Sequence, residues 1–128
     1  MSRDVPIEIW RGANDPAVVW GFDSAPGVPI DLTGSTFDLI VAWPAIALGT
    51  LGGLTPDGRI EHTSSSDGDG DGVLTIDLVS GDVTWPITVA ESETIPRGGR
   101  ATYELFRTIA GRRRVWCGGA ITVRSHLP

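Results

Sequence analysis

Near its end the chain reads ATYELFRTI (residues 101–109), AG (110–111) and RRRVWCGGAITV (112–123). β-Branched and aromatic residues dominate both arms, and a glycine lies where the chain would reverse. This combination is the short-range sequence signature of an antiparallel hairpin. We therefore expect the rest of the chain to be organised around this closing β-hairpin.

Alternation of side chains along a strand predicts which residues of the hairpin face the core. Four residues on the two arms share one face by this rule: Tyr103, Leu105, Val115 and Cys117. Phe106 and Trp116 would then lie on the opposite face, among arginines. Since the first face is suited to the core, the second is expected to be outward.

An outward tryptophan flanked by arginines is typical of a protein-contact anchor. The predicted interface consists of six residues: Phe106, Trp116, Arg107, Arg112, Arg113 and Arg114. The alternative is a strand covered on both faces, for example by the segment 44–58. The sequence leaves both interpretations open.

Length and composition predict a single domain over residues 1–128, large enough for a core of its own. The 17 glycines and 9 prolines lie between short apolar runs, which favours many turns over long helices. No stretch approaches the ~18 apolar residues of a membrane span, and the start has no signal-peptide apolar region. We expect synthesis in the cytoplasm and no membrane partner. Cys117 is the only cysteine, so it is interpreted as a small buried hydrophobic residue.

Apolar runs separated by turn residues predict about eight short strands. Besides the two hairpin arms, they are expected at 7–10, 17–22, 36–43, 59–63, 73–79 and 83–89. Residues 44–58 are expected to form a loop and residues 90–95 one helical turn. Pro86 makes its segment an edge strand or a bulge, and Gly118-Gly119 indicates a bulge or a close approach by another backbone. The pattern predicts an all-β, antiparallel sandwich or barrel.

Charge is distributed unevenly along the chain. Residues 1–96 hold three arginines and fifteen acidic residues, whereas residues 97–128 hold seven arginines and Glu104 alone. Such asymmetry favours association with an acidic surface. The alternative is that the basic hairpin pairs with acidic strands of its own domain.

DGDGDG (67–72) is the one stretch that resembles a ligand site. Asp67, Asp69 and Asp71 alternate with glycine, as at the start of a calcium loop. The bidentate glutamate of such a loop would fall at Leu78, inside a predicted strand. A flexible, solvated acidic loop over residues 64–72 is therefore the preferred interpretation, and calcium binding is the alternative.

The sequence shows no catalytic or nucleotide-binding motif. His62 and His126 have no partner at zinc-ligand spacing, and neither a nucleophile elbow nor a phosphate-binding glycine motif is present. An enzyme would be indicated by His62 lying beside a serine and a carboxylate. The acidic body would repel phosphate, which argues against a nucleic-acid partner. We expect a non-enzymatic protein without a cofactor.

Several segments together resemble a known family. They are IEIWRG (7–12), VVWGF (18–22), PIDLTGSTF (29–37), IPRG (95–98) before ATYEL (101–105), and VWCGGAITV (115–123). In this order they resemble the immunoglobulin-like β-sandwich domains of tailed-bacteriophage virion proteins, such as the N-terminal domain of baseplate upper proteins and related tail-fibre adaptors. The resemblance implies an immunoglobulin-like fold and a non-enzymatic building block that docks onto a tail or capsid scaffold.

The resemblance predicts a structural subunit of a virion, in the tail, baseplate, connector or decoration layer. Without a long C-terminal extension, the chain is expected to act as a free-standing module. Its partners would be other virion proteins or copies of itself, in a homo-oligomer or another symmetric assembly. The alternative is a carbohydrate- or host-surface-binding module, which Trp43 at an exposed loop mouth would favour.

Overall fold

The structure, a computed structural model, describes residues 3–13, 17–47, 54–55, 57–66, 70–96 and 98–124. It is mostly β, with several antiparallel sheets, as predicted. The elements in chain order are β1 (Arg3–Asp4), β2 (Ile7–Trp10), β3 (Val18–Gly21), β4 (Asp23–Ala25), β5 (Val28–Pro29), β6 (Thr36–Trp43), β7 (Ile46–Ala47), β8 (Leu54–Thr55), β9 (Gly58–Thr63), β10 (Thr75–Asp77), β11 (Asp82–Trp85), α1 (Val89–Thr94), β12 (Gly98–Ile109) and β13 (Arg112–Arg124).

Two main sheets enclose the core. The larger has the order β1-β13-β12-β6-β9, with β2 also paired to β13, and the smaller has the order β10-β11-β3. Strands β4 and β5 form a separate small hairpin, as do β7 and β8. The inner faces of both main sheets contribute to one hydrophobic cluster, which includes Trp20 and Val83 from the smaller sheet and Leu39, Leu105 and Ile121 from the larger. The result is a β-sandwich.

The closing hairpin is the centre of the larger sheet, as the sequence predicts. β12 pairs with both β13 and β6, and all three strands run antiparallel. The first two strands, however, pair parallel to β13, with Arg3 beside Cys117 and Ile7 beside Ile121. Local patterns carry no signal for this pairing, because it joins the two ends of the chain.

Gly119 permits the close approach that the glycine pair predicts. A Cβ at this position would lie 2.9 Å from the backbone oxygen of Val5, and the Val5 N–H donates to the Gly118 oxygen over 2.8 Å. The N-terminal segment can therefore lie directly on β13.

Two strand predictions are wrong in extent. β11 lies in the middle of its sheet and ends at Trp85, so Pro86 is neither in an edge strand nor at a bulge. Chain direction changes there, because Thr88 begins α1 with a capping box with Glu91. β10 covers only Thr75–Asp77 of the predicted strand 73–79, and Leu78, which follows it, is exposed. The expected loop 44–58 contains the paired strands β7 and β8, and its residues 48–53 and 56 lie outside the described residues.

A buried hydroxyl joins the two sheets to the N-terminal segment. Trp20 in β3 donates its Nε1–H to the hydroxyl of Tyr103 in β12 over 3.0 Å, and that hydroxyl donates to the Val5 oxygen over 2.5 Å. The Trp20 and Tyr103 rings are also in contact, with centroids 5.6 Å apart. Burial raises the pKa of Tyr103, so the hydroxyl keeps its proton. One side chain thereby links three separate parts of the chain.

Replacing this hydroxyl should destabilise the fold measurably. In Tyr103→Phe, the Trp20 N–H and the Val5 oxygen both lose their partner, which should lower the free energy of unfolding by about 2 kcal/mol or more. Urea unfolding followed by tryptophan fluorescence measures the difference. Ser24→Ala removes an exposed hydroxyl that contacts the Val28 oxygen and serves as the control, with an expected change under about 0.5 kcal/mol. Equal stability of Tyr103→Phe and the native protein would contradict this interpretation.

Candidate functional site

The tip of the closing hairpin extends past β6 by one residue pair and a two-residue turn. β12 and β13 stay paired as far as Ile109 and Arg112, whereas the pairing of β12 with β6 ends at Thr108 and Thr36. Ala110 and Gly111 make the turn with φ values of 53° and 75°. Positive φ at both positions is typical of a two-residue type I′ turn, which suits the strand twist. The tip is therefore a hydrogen-bonded projection.

A β-bulge in β13 changes which residues face outward. Leu105 pairs with Cys117, but Phe106 pairs with Val115, so Trp116 is an extra residue in the ladder. Val115 therefore shares a face with Phe106, opposite the buried Leu105. The prediction that Val115 faces inward with Cys117 is wrong, because the bulge interrupts the alternation on which it depends.

Trp116 packs toward the core. Its ring meets the buried Phe22 edge-on, with centroids 5.3 Å apart, and the Arg107 guanidinium carbon lies 4.7 Å from its ring centroid. Its Nε1 atom is buried and has no hydrogen-bond partner among the residues that the structure describes. The prediction of an outward Trp116 is therefore wrong.

Arg107 anchors the hairpin to the neighbouring loop. Its Nε donates to the Ser35 hydroxyl over 2.8 Å and its Nη2 donates to the Asp31 oxygen over 3.0 Å. Together with its position over Trp116, these bonds hold the side chain against the protein's own surface. Arg107 therefore orients the projection, and the structure does not present its guanidinium group at the tip.

Phe106 does lie on the outer face, as predicted, but it is covered. The Arg113 guanidinium carbon is 3.9 Å from its ring centroid, within the range of a cation–π contact. The Nε of Arg113 lies 3.5 Å from a carboxylate oxygen of Asp38 in β6. Phe106 is half-buried under this pair.

Arg112 and Arg114 are the predicted interface residues that remain exposed and unpaired. Within the described parts of the chain, neither guanidinium makes an ion pair or a hydrogen bond. Ile109, directly across from Arg112, is also exposed. The tip therefore offers two planar cations beside an apolar side chain.

Two further turns lie next to the loop that Arg107 contacts. The Gly81 oxygen accepts from the Phe22 N–H over 3.4 Å, and the Phe22 oxygen accepts from the Ile30 N–H over 3.0 Å. These contacts place the turn 77–81 and the β4–β5 hairpin beside the loop that Arg107 contacts. Three exposed aliphatic residues lie on them: Val28, Leu78 and Val79, the last with 88% of its surface exposed. We call the hairpin tip 109–114 together with these two turns the turn end.

Sequence reasoning did not find a second cluster, centred on His62 in β9. Its Nδ1 lies 2.7 Å from an oxygen of Asp71, and its Nε2 lies 2.5 Å from an oxygen of Glu91. The other Glu91 oxygen accepts from the Thr88 N–H at the start of α1. His62 thus ties the acidic loop and the helix to the edge of the larger sheet. The spacing Thr88-x-x-Glu91 could have indicated the helix start, but nothing local indicates the partner.

Both carboxylates favour a charged His62. Burial of the ring opposes protonation, but the hydrogen bonds and charges of Asp71 and Glu91 outweigh it and raise the pKa of His62 above the ordinary 6.5. Burial also opposes ionisation of Asp71, but the Thr63 N–H, His62 and the Val73 N–H lower its pKa below 3.8. The cluster is therefore a charged bridge. With both ring nitrogens engaged by carboxylates, His62 has none turned to a serine, unlike the base of a Ser–His–Asp triad.

Of the three aspartates predicted as possible calcium ligands, the structure describes only Asp71. Asp67 and Asp69 lie outside the described residues, as does His126. Asp71 uses one oxygen for the backbone N–H groups of Thr63 and Val73 and the other for His62. No group of metal-ligating side chains occurs in the described ranges.

No helix in the described ranges has the length and apolarity to cross a bilayer.

Comparison of the sequence with protein-family models and with curated proteins gives no match.

The charged bridge should make stability depend on pH. Because the pKa of His62 is raised on folding, its contribution is complete below the ordinary value of 6.5 and is lost as the pH rises through the folded pKa. We expect the free energy of unfolding to fall as the pH rises from the ordinary value of 6.5 through the raised folded pKa of His62. In His62→Gln this fall should be smaller by at least about half.

Chemical denaturation at several pH values measures this dependence. His126→Gln removes the other histidine and should keep the native pH dependence. A His62→Gln protein with an unchanged pH profile would show that the bridge does not contribute.

Proposed function

We propose that the protein is a non-enzymatic structural subunit of a bacteriophage virion, made in the host cytoplasm, that docks onto neighbouring virion proteins or copies of itself through the turn end. The observation that carries the proposal is the projecting hairpin tip with Arg112 and Arg114 exposed and unpaired beside Ile109. The resemblance of the sequence segments to phage virion domains supplies the biological setting.

The rigidity of the tip supports docking. Arg107 ties the hairpin to Ser35 and Asp31, and Trp116 packs on Phe22, so the projection is held before any partner arrives. A preorganised surface loses less conformational entropy on association than a mobile one. Exposed arginine beside aliphatic side chains is a composition favoured in protein interfaces.

Charge supports an acidic partner surface. The guanidinium groups of Arg112 and Arg114 are planar forks that suit carboxylates, and residues 1–96 of the chain carry a large acidic excess. A tip that meets the acidic body of a neighbouring copy would give a head-to-tail contact, which closes into a ring where the rotation permits. An acidic patch on another virion protein would meet the same chemical requirement.

The geometry gives less support to carbohydrate binding. Trp43 is 7% exposed and packs against Gly58, so it offers no stacking face at a loop mouth. In the described part of the chain, the large apolar side chains with high exposure are all aliphatic. Sugar recognition by stacking needs an exposed aromatic ring, whereas protein docking does not.

Removing both tip cations should prevent incorporation into particles. We expect the double variant Arg112→Ala, Arg114→Ala to fold normally, because neither guanidinium makes an ion pair or a hydrogen bond within the described parts of the chain. It should be recovered on purified particles at least about tenfold less than the native subunit. Arg59→Ala is the matched control, since Arg59 is exposed but pairs with Glu61 on β9.

Quantitative immunodetection of a tagged subunit on purified particles measures incorporation. Raising the salt concentration should weaken docking of the native subunit if the cations contribute to it. Incorporation of the double variant at the native level would contradict the proposal.

A further inference from the structure

We propose that the protein also forms a twofold-symmetric dimer in which β3 pairs antiparallel with β3 of a second copy, making the smaller sheets of the two copies continuous. This inference does not rest on the proposed virion function. It depends on the free edge of β3, at which no other strand among the described residues is paired.

The backbone groups on this free edge can be assigned. β3 pairs with β11 without a register shift, with Trp20 beside Val83 and Val19 beside Thr84. Continuing this register places Phe22 beside Gly81, and the Phe22 N–H donates to the Gly81 oxygen. Hydrogen-bonded and non-bonded pairs alternate in an antiparallel ladder. The backbone N–H and C=O of Trp20 therefore point toward β11, and the backbone N–H and C=O of Val19 and Gly21 point away from it, toward the free edge.

These groups are complementary to themselves. In an antiparallel pair of two β3 strands centred on Trp20, Val19 of each copy lies opposite Gly21 of the other. Each of these two pairs exchanges two N–H···O bonds, so the contact has about four backbone hydrogen bonds. The arrangement is isologous, as a twofold dimer requires.

β3 differs from the other edges of the two main sheets in having no charged residue. β9 carries Arg59 and Glu61, β10 ends at Asp77, β2 carries Glu8, and β1 consists of an arginine and an aspartate. Charges and short length are the usual protection of an edge strand against pairing. β3 reads Val-Val-Trp-Gly and exposes Val19 at 54%.

β3 itself brings no charge to a contact between copies. The chain has a formal net charge of −6, so two copies repel each other over most of their surfaces. At β3 the facing strands are uncharged. The carboxylate of Asp82 in β11 lies beside Gly21, with one oxygen 2.8 Å from where a Cβ of Gly21 would be.

A partly apolar cavity of about 260 Å³ lies beside this edge, between β2 and β3. Its lining includes Ile7, Ile9, Val18, Trp20 and Ile87. A second copy placed along β3 would cover the opening between the two sheets. Burial of this apolar surface would add to the backbone hydrogen bonds.

Val19→Pro tests the contact directly. It removes the N–H that faces the free edge and leaves the bonds of Trp20 to β11, a position at which a strand tolerates proline. Val19→Thr keeps both the N–H and a β-branched side chain and is the matched control. Sedimentation velocity of the full chain from about 10 μM to about 1 mM should show a monomer–dimer equilibrium for the native protein and for Val19→Thr. For Val19→Pro we expect the dimer dissociation constant to rise at least about tenfold.

A second variant covers the case in which proline disturbs the fold. Val19→Glu keeps the backbone and adds a negative charge to the contact from each copy of an already acidic chain, so its dimer should be weakened most at low salt. In the native protein, hydrogen exchange at the Val19 and Gly21 amides should slow as the concentration rises. The double variant Arg112→Ala, Arg114→Ala should dimerise normally, which separates this contact from docking through the turn end.

The inference would be overturned by a native protein that stays monomeric over the whole range. It would also be overturned by folded Val19→Pro or Val19→Glu variants that dimerise as the native protein does. Association that depends on Arg112 and Arg114 instead of β3 would assign the dimer to the turn end.

Discussion

The hydroxyl of Tyr103 is a buried group that both sheets and the N-terminal segment share. It accepts from Trp20 and donates to the Val5 oxygen, so none of the three partners can move without leaving a polar group unsatisfied. Its geometry requires that the N-terminal segment lie close on β13, which the missing side chain of Gly119 permits. The parallel pairing of β1 and β2 with β13 follows from that approach. The sandwich is thus closed where the two ends of the chain meet.

The bulge at Trp116 determines the chemistry of the hairpin tip. Without it, Trp116 would face solvent and Val115 the core; with it, the indole packs on Phe22 and helps to hold Arg107. The aromatic rings of this region therefore contribute to rigidity, one in the core and the other, Phe106, beneath Arg113. What the tip offers to a partner is charge and aliphatic surface. This composition suits reversible docking on an acidic surface better than stacking on a sugar or a base.

The edges of the sandwich differ in how they meet solvent. The edge strand β9 carries the exposed ion pair of Arg59 and Glu61 and the charged bridge of His62. The edge strand β3 has no charged side chain. The proposed docking through the turn end and the proposed pairing of β3 would use chemically distinct surfaces, one with exposed cations and the other with uncharged backbone. An assembly could use both without competition between them.

Local patterns in the sequence determined the all-β class, most strand positions, the closing hairpin and the close approach at the glycine pair, because these depend on residues near each other in the chain. Alternation also placed Tyr103, Leu105 and Cys117 in the core, since that part of the hairpin has a regular register. Only the tertiary structure decided the face of Trp116, the partners of His62, and the parallel pairing of the chain ends. The first of these depends on one extra residue in a ladder, and the other two depend on residues far apart in sequence. Neither kind of feature can be detected in the local amino-acid composition. The free edge of β3 was also decided by the tertiary structure, because whether a strand lies at an edge depends on which other strands pair with it.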